Sequence, residues 1–228
     1  MRSLAQSDEN FEVRDAAIAE LARGWKDDPQ TLSIVQDRAQ SDDHPAVRKT
    51  ALKELAGGWK QDRETRSIVE ARARRDADAE VRLGAMGELI QHWKDDPETL
   101  SVLRDSARSD VEPAVRDRAV LLLARRWKHD PETWSILRDR VQCDASSTVR
   151  HGAMRELIHG WKRAPGTLSV VQARARSDDD PTIRAAAVQE LARRWKHDPE
   201  TWTILRTRAA SDADPEIRQI AARALVRK

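Results

Sequence analysis

The chain has 228 residues, 39% of them apolar and 35% charged, a balance too polar for one large compact core and suited to a thin repeated array. The formal net charge of +2 excludes an acidic tail or a strongly basic domain that would announce a partner. Of the 41 basic residues most are arginine, which favours carboxylate pairing and stacking over simple solvation.

A step of 34 residues organises the predicted elements: Trp-Lys pairs begin at 25, 59, 93, 127, 161 and 195. The first element is an abbreviated helix over 1–8, and with the helix capped at Asn10 it forms a truncated first unit, 1–27. Full units start near 28, 62, 96, 130, 164 and 198, which predicts a single array over 1–228. In the unit from 28, Asp28 suits an N-cap and Pro29 the first helical position, and Leu32, Val35 and Ala39 supply the apolar face of a first helix. The break at 41–45 leads to a second helix capped at His44, with Val47, Ala51, Leu55 and Trp59 along one stripe. Later second helices are capped in the same column by Asp78, Glu112, Ser146, Asp180 and Asp214. Asp-Pro starts return at 96, 130 and 198, where Glu98, Glu132 and Glu200 place a carboxylate in the first turn, as the helix dipole favours. No segment alternates with period two, so the chain is predicted to be all-α.

Copies within the chain separate scaffold from surface. Alanine fills all seven equivalents of Ala51 and leucine all seven equivalents of Leu55, the pattern of a core where backbones approach closely. Two polar columns are as constant. Asp42, Asp76, Asp110, Asp144 and Asp178, with Asp8 and Asp212, fill the turn between helices; Arg48, Arg82, Arg116, Arg150 and Arg184, with Arg14 and Arg218, follow six residues later. An Asp there can accept from amides of its turn while receiving an Arg from its own or an adjacent unit, making a structural ladder.

The turn Asp and its Arg, within Asp-x-x-Pro-x-Val-Arg-x-x-Ala-x-x-x-Leu, resemble the second half of a HEAT-like repeat over nearly the whole chain. The resemblance implies a right-handed α-solenoid of stacked helix pairs, with second helices lining its concave side. The unit is shorter than the roughly 40–47 residues usual for HEAT units, and the tetratricopeptide opening that would suit its length is absent. The phrase Trp-Lys-Asp-Asp-Pro-Glu-Thr-Leu at 93–100 also resembles repeat tracts of bacterial NACHT-type signalling ATPases, which implies a sensor region. No phosphate-binding loop of such an ATPase occurs in the chain.

The Trp column reads as packing, because rings one helix diameter apart, about 10 Å, cannot share a cation cage. Its indoles are expected to cover the turn and pack on the next unit's first helix, and the lysines that follow to meet helix C-termini. Trp134 and Trp202 replace leucines at 32, 100 and 168, as enlarged core or as exposed anchors. His129 with Glu132 and His197 with Glu200 have metal-like spacing, yet their column varies as surface does; Cys143 stands where serines stand elsewhere. No catalytic residue, cofactor or metal ligand is predicted.

Specificity is expected on variable second-helix columns, carried by Lys49, Lys53, Gln91, Arg125, His151, Arg155, His159, Gln189, Arg193 and Arg223. Their mixed polarity predicts a non-enzymatic scaffold binding a protein or peptide, or other domains of a longer parent chain, with a nucleic-acid backbone as the alternative partner. Neither end of the chain has a polar cap, which predicts an excerpt from a longer protein. The lone cysteine, the absence of a signal segment and a longest apolar run of only 119–124 predict a cytoplasmic monomer with no membrane partner.

Overall fold

The computed structural model describes residues 1–226; Arg227 and Lys228, the last two positions of the predicted array, lie outside the described residues. All elements among the described residues are α-helices. By their contacts the residues form two compact units, Met1–Arg118 and Ala119–Lys228. Unit 1 holds α1 (Arg2–Ser7), α2 (Phe11–Gly24), α3 (Pro29–Ser41), α4 (Pro45–Gly58), α5 (Arg63–Arg75), α6 (Ala79–His92) and α7 (Pro97–Ser109), and the division falls within α8 (Pro113–Arg126). Unit 2 continues with α9 (Pro131–Cys143), α10 (Ser147–Trp161), α11 (Thr167–Ser177), α12 (Pro181–Arg194), α13 (Pro199–Ser211) and α14 (Pro215–Val226). Within each unit, helices pair as hairpins and each hairpin stacks on its neighbours, the architecture of an α-solenoid.

The caps explain where helices begin. Asp28, Asp96 and Asp130 accept from the backbone N–H two residues on, at 2.9–3.1 Å, and Pro occupies the first turn of each helix. Asp78, Asp180 and Asp214 do the same for second helices, and the His44 ring takes the part in α4 through Nδ1 at 3.3 Å. Ser146 makes no side-chain cap bond. One start differs from the rest. Before α11 the capping Asp is missing and Gly166 turns the chain at φ 91°, a left-handed conformation that suits glycine. Trp134 closes over it, 3.3 Å from where a Cβ would stand, and donates from Nε1 to Thr167 Oγ1 at 3.3 Å.

The core runs down the constant columns. Every equivalent of Ala51 is buried, and so are the leucines from Leu21 to Leu191. First helices depart from the expected face. Leu32 is only half-buried, and Thr31 beside it is fully buried, as are Thr65, Thr99, Thr133, Thr167 and Thr201. The inward face therefore runs Thr31, Ile34, Val35, Ala39, which sets Leu32 at its edge. Trp134 and Trp202 share that edge and are half-buried.

The arginines join successive hairpins. In unit 1, Arg14, Arg48 and Arg82 each present Nε and Nη2 to both carboxylate oxygens of the next repeat's aspartate, Asp42, Asp76 and Asp110, at 2.7–2.9 Å. In unit 2, Arg150 and Arg184 hold Asp178 and Asp212 the same way at 2.6–3.2 Å. The remaining Nη1 donates to the carbonyl of the arginine's own turn, Asp42 O for Arg48, Asp110 O for Arg116 and Asp144 O for Arg150. Each aspartate also accepts a backbone N–H two residues on, as Asp144 does from Ser146 at 2.9 Å. Such bidentate, charge-assisted pairs fix geometry as well as adding energy.

Candidate interaction surface

The variable columns lie on second helices, one turn apart and off the Ala-Leu stripe. All ten predicted partner-binding residues are exposed. Unit 1 carries three of them: Lys49 and Lys53 on α4 and Gln91 on α6. Lys49 lays its stem over Gly84 and brings Nζ to 3.7 Å from Glu80. The rest stand in unit 2: Arg125 on α8, His151, Arg155 and His159 on α10, Gln189 and Arg193 on α12, and Arg223 on α14.

Unit 2 brings its seven together around grooves between second helices. One, of about 500 Å³, lies between α8 and α10 and is lined by Arg125, Lys128, Arg155, Glu156 and His159. A second, of about 230 Å³, lies between α10 and α12, where His151, Arg155 and His159 face Gln189, Glu190 and Arg193. The third, of about 550 Å³, lies between α12 and α14, lined by Gln189, Arg193, Lys196, Ile220 and Arg223. Helices α10 and α12 touch over less of their length than α12 and α14 do.

A carboxylate column beside these residues was missed by the sequence reading: Glu20, Glu54, Glu88, Glu156 and Glu190. Its recurrence on the same 34-residue step was the signal. In unit 1 burial and the neighbouring Glu54 push the Glu88 carboxyl above its usual range, against a smaller pull from Lys53. His92, 3.5 Å from Glu88, is lowered by burial and by Lys60. In unit 2 Glu156 is buried and takes Arg155 at 3.3 Å and Arg125 at 3.5 Å, while Glu190 holds Arg193 at 2.6 Å and also Arg194. These glutamates tether the guanidinium groups and leave them exposed.

The Trp-Lys phrase stands at the C-terminal end of the second helices, in the turn after most of them and, in α10, with Trp161 as the last helical residue. Trp25, Trp59, Trp93 and Trp195 are C-caps whose N–H groups donate to the leucine four residues back, at 2.8–2.9 Å. Leaving helical φ/ψ there turns the indole off the stripe. Trp93 reaches back and donates from Nε1 to Lys60 O of the preceding turn at 3.1 Å. Trp25 is 47% exposed and the other five are half-buried. The lysines run forward. Lys128 sets Nζ 5.9 Å from the Trp161 ring centre, and the Lys26 stem lies against Gly58 of the following unit. Among the described residues no group of three or more His, Cys, Asp or Glu is placed to hold a metal, and no helix is long and apolar enough to cross a membrane.

The sequence profile of HEAT repeats matches the chain three times, over residues 1–90, 67–158 and 137–226. No curated protein matches it. Among solved structures, the X-ray structure of Escherichia coli YibA, a structural-genomics target, is similar over 100% of this chain and 81% of its own, with a TM-score of 0.57 and 20% identity, a likeness of fold alone. Stacked helix hairpins, the turn Asp joined to an Arg of the preceding unit and the threefold profile match agree, and the chain belongs to the HEAT-repeat family.

Proposed function

We propose that the chain is a non-catalytic scaffold that binds a protein or peptide along its second-helix face. HEAT-repeat arrays commonly offer such extended surfaces to partners. One observation carries the reading: on the same helices, the constant alanines and the leucines from Leu21 to Leu191 are buried, whereas the ten polar residues predicted on the variable columns are all exposed. In unit 1, successive second helices also pack more closely on one another than successive first helices do, which supports taking their side as the concave one. The unbroken 34-residue register supports one array, and the phrase at 93–100 supports a sensor region within a larger signalling protein. The single cysteine supports a reducing, cytoplasmic setting.

The test is to select peptides from a random display library on the immobilised chain, then repeat binding with Arg155→Glu, Arg193→Glu and Arg223→Glu combined. Affinity is expected to fall about tenfold or more, since three exposed charges each contribute up to about 1 kcal/mol, with helicity unchanged. Unchanged affinity would move the binding surface elsewhere. Nucleic-acid binding is the second reading, favoured by the arginines lining the unit 2 grooves. A salt titration against duplex DNA decides it, because backbone binding loses affinity steeply with salt.

A further inference from the structure

Positions that are buried in every other repeat lose their cover in the first and last ones. In the last repeat Ala222 is exposed, whereas the six other residues of its column, from Ile18 to Val188, are fully buried. Ala209 on α13 is half-buried, whereas the copies of that position from Ala39 to Ala175 are fully buried. In the first repeat Val13 is half-buried, whereas its six copies, from Val47 to Ile217, are buried. Asp8 is half-buried where Asp42, Asp76 and Asp178 are buried. Residues uncovered in the last repeat mark the surface that a following repeat covers elsewhere, and those uncovered in the first mark the surface that meets a preceding one.

The polar ladder is open at the same two places. Arg218 Nη1 donates to Asp212 O at 2.7 Å and Ala213 O at 3.1 Å, as Arg48 Nη1 does to Asp42 O and Asp43 O. Its Nε and Nη2 hold no aspartate and have no other partner among the described residues. Asp8 accepts the Asn10 N–H at 2.9 Å, as Asp42 accepts that of His44, and among the described residues no arginine donates to its carboxylate. Each half of the pair is therefore set in ladder geometry in advance, which reduces the ordering cost of joining them. In unit 1, successive second helices pack more closely on one another than first helices do, so the shortness of α1 takes little from such a joint. We infer that a second copy of the chain docks head to tail, with Arg218 of one copy holding Asp8 of the next. Ala222 and Ala209 of the one and Val13 of the other are then covered as their counterparts are within the array. The chain itself supplies the matching shape, because its interior joints already fit these columns together. The two faces differ, so association continues past a dimer unless it closes into a ring. Self-association replaces the monomer expected from the sequence and does not rest on peptide binding.

Sedimentation velocity of the 1–228 chain over a range of concentrations tests this, and mass is expected to rise with concentration above that of one copy. Asp8→Arg alone and Arg218→Asp alone set like charges against each other. Each should weaken association about thirtyfold or more, the scale for losing one partner of a buried charge pair. Mixed in equal amounts the two variants should recover it, because the reversed head of one meets the reversed tail of the other. Should either reversal lose helicity, Ala222→Arg is read instead; it is exposed on α14 and should block association with helicity intact. A wild-type chain that keeps the mass of one copy up to its solubility limit overturns the inference, and so does a mixture that stays as dissociated as its parts. Association that survives the reversals and Ala222→Arg would place the contact on another face and overturn it as well.

Discussion

Arg48 shows at the scale of one residue how a polar group can be both costly and necessary. Its fork holds Asp76 at 2.7 and 2.9 Å, its third nitrogen donates to Asp42 O at 2.8 Å, and Asp76 is 2% exposed. Burial pushes the Asp76 carboxyl up, but Arg48, the Asp78 N–H and Arg72 together outweigh it and hold the pKa below the usual carboxylate range. A group with a lowered folded-state pKa contributes stability above its unfolded value, about 3.9, and loses it as pH falls through the folded value. Arg48→Met leaves Asp76 buried with only Arg72, at 3.6 Å, as a cation. Its cost at neutral pH is expected to be about 3 kcal/mol, the scale for breaking a buried pair by removing one partner. The cost should shrink in acid, because a protonated Asp76 no longer needs the arginine. Urea unfolding at neutral pH and near pH 3 checks both statements; a cost that stays constant across that range would mean the ion pair is not its source.

At the scale of the element, the helices were legible where chemistry repeats in sequence. Asp-Pro marks starts at 28, 96, 130 and 198, and the Ala-Leu stripe marks the buried side of each second helix. Two elements resisted. The start of α11 could not be read as a capped helix because Gly166 and the covering Trp134 replace the Asp, a solution that depends on a ring from the preceding repeat. The inward threonines were passed over because a hydroxyl does not count as apolar, although Thr fills that column in all six first helices from α3 to α13. Their hydroxyls are not equivalent. Thr99 Oγ1 donates to Trp93 O at 2.8 Å, while the buried Oγ1 atoms of Thr31, Thr65 and Thr201 have no hydrogen-bond partner. Replacing Thr99 by Val should therefore cost about 1 kcal/mol for a lost hydrogen bond. Thr31→Val removes an unsatisfied hydroxyl of similar volume and should be neutral or stabilising. Thermal unfolding of the two variants side by side decides the point, and equal losses would show that the bond to Trp93 is not what separates them.

For the molecule as a whole, repetition explains both what sequence disclosed and what it withheld. Seven copies of Ala and Leu made the stacked core plain, whereas the partner of each ladder arginine and the grooves beside Arg155 and Arg193 are set by how one hairpin lies on the next. In a stack each hairpin contacts only its neighbours, so stability is close to a sum of hairpin and interface terms and damage should stay local. Leu157 on α10 is fully buried in unit 2, where α10 packs against α9, α11 and α12. Leu157→Ala removes part of that packing and should cost 2–5 kcal/mol, the range for such truncations in a close-packed core. Hydrogen exchange should then show α9, α10, α11 and α12 losing protection by the full amount, while α2, α4 and the hairpins packed on them in unit 1 keep theirs. If protection fell equally in α2 and α12, unfolding would be a single global event, the pairwise account of stability would fail, and the basic grooves of unit 2 could not be treated as a surface whose local order is set by unit 2 alone.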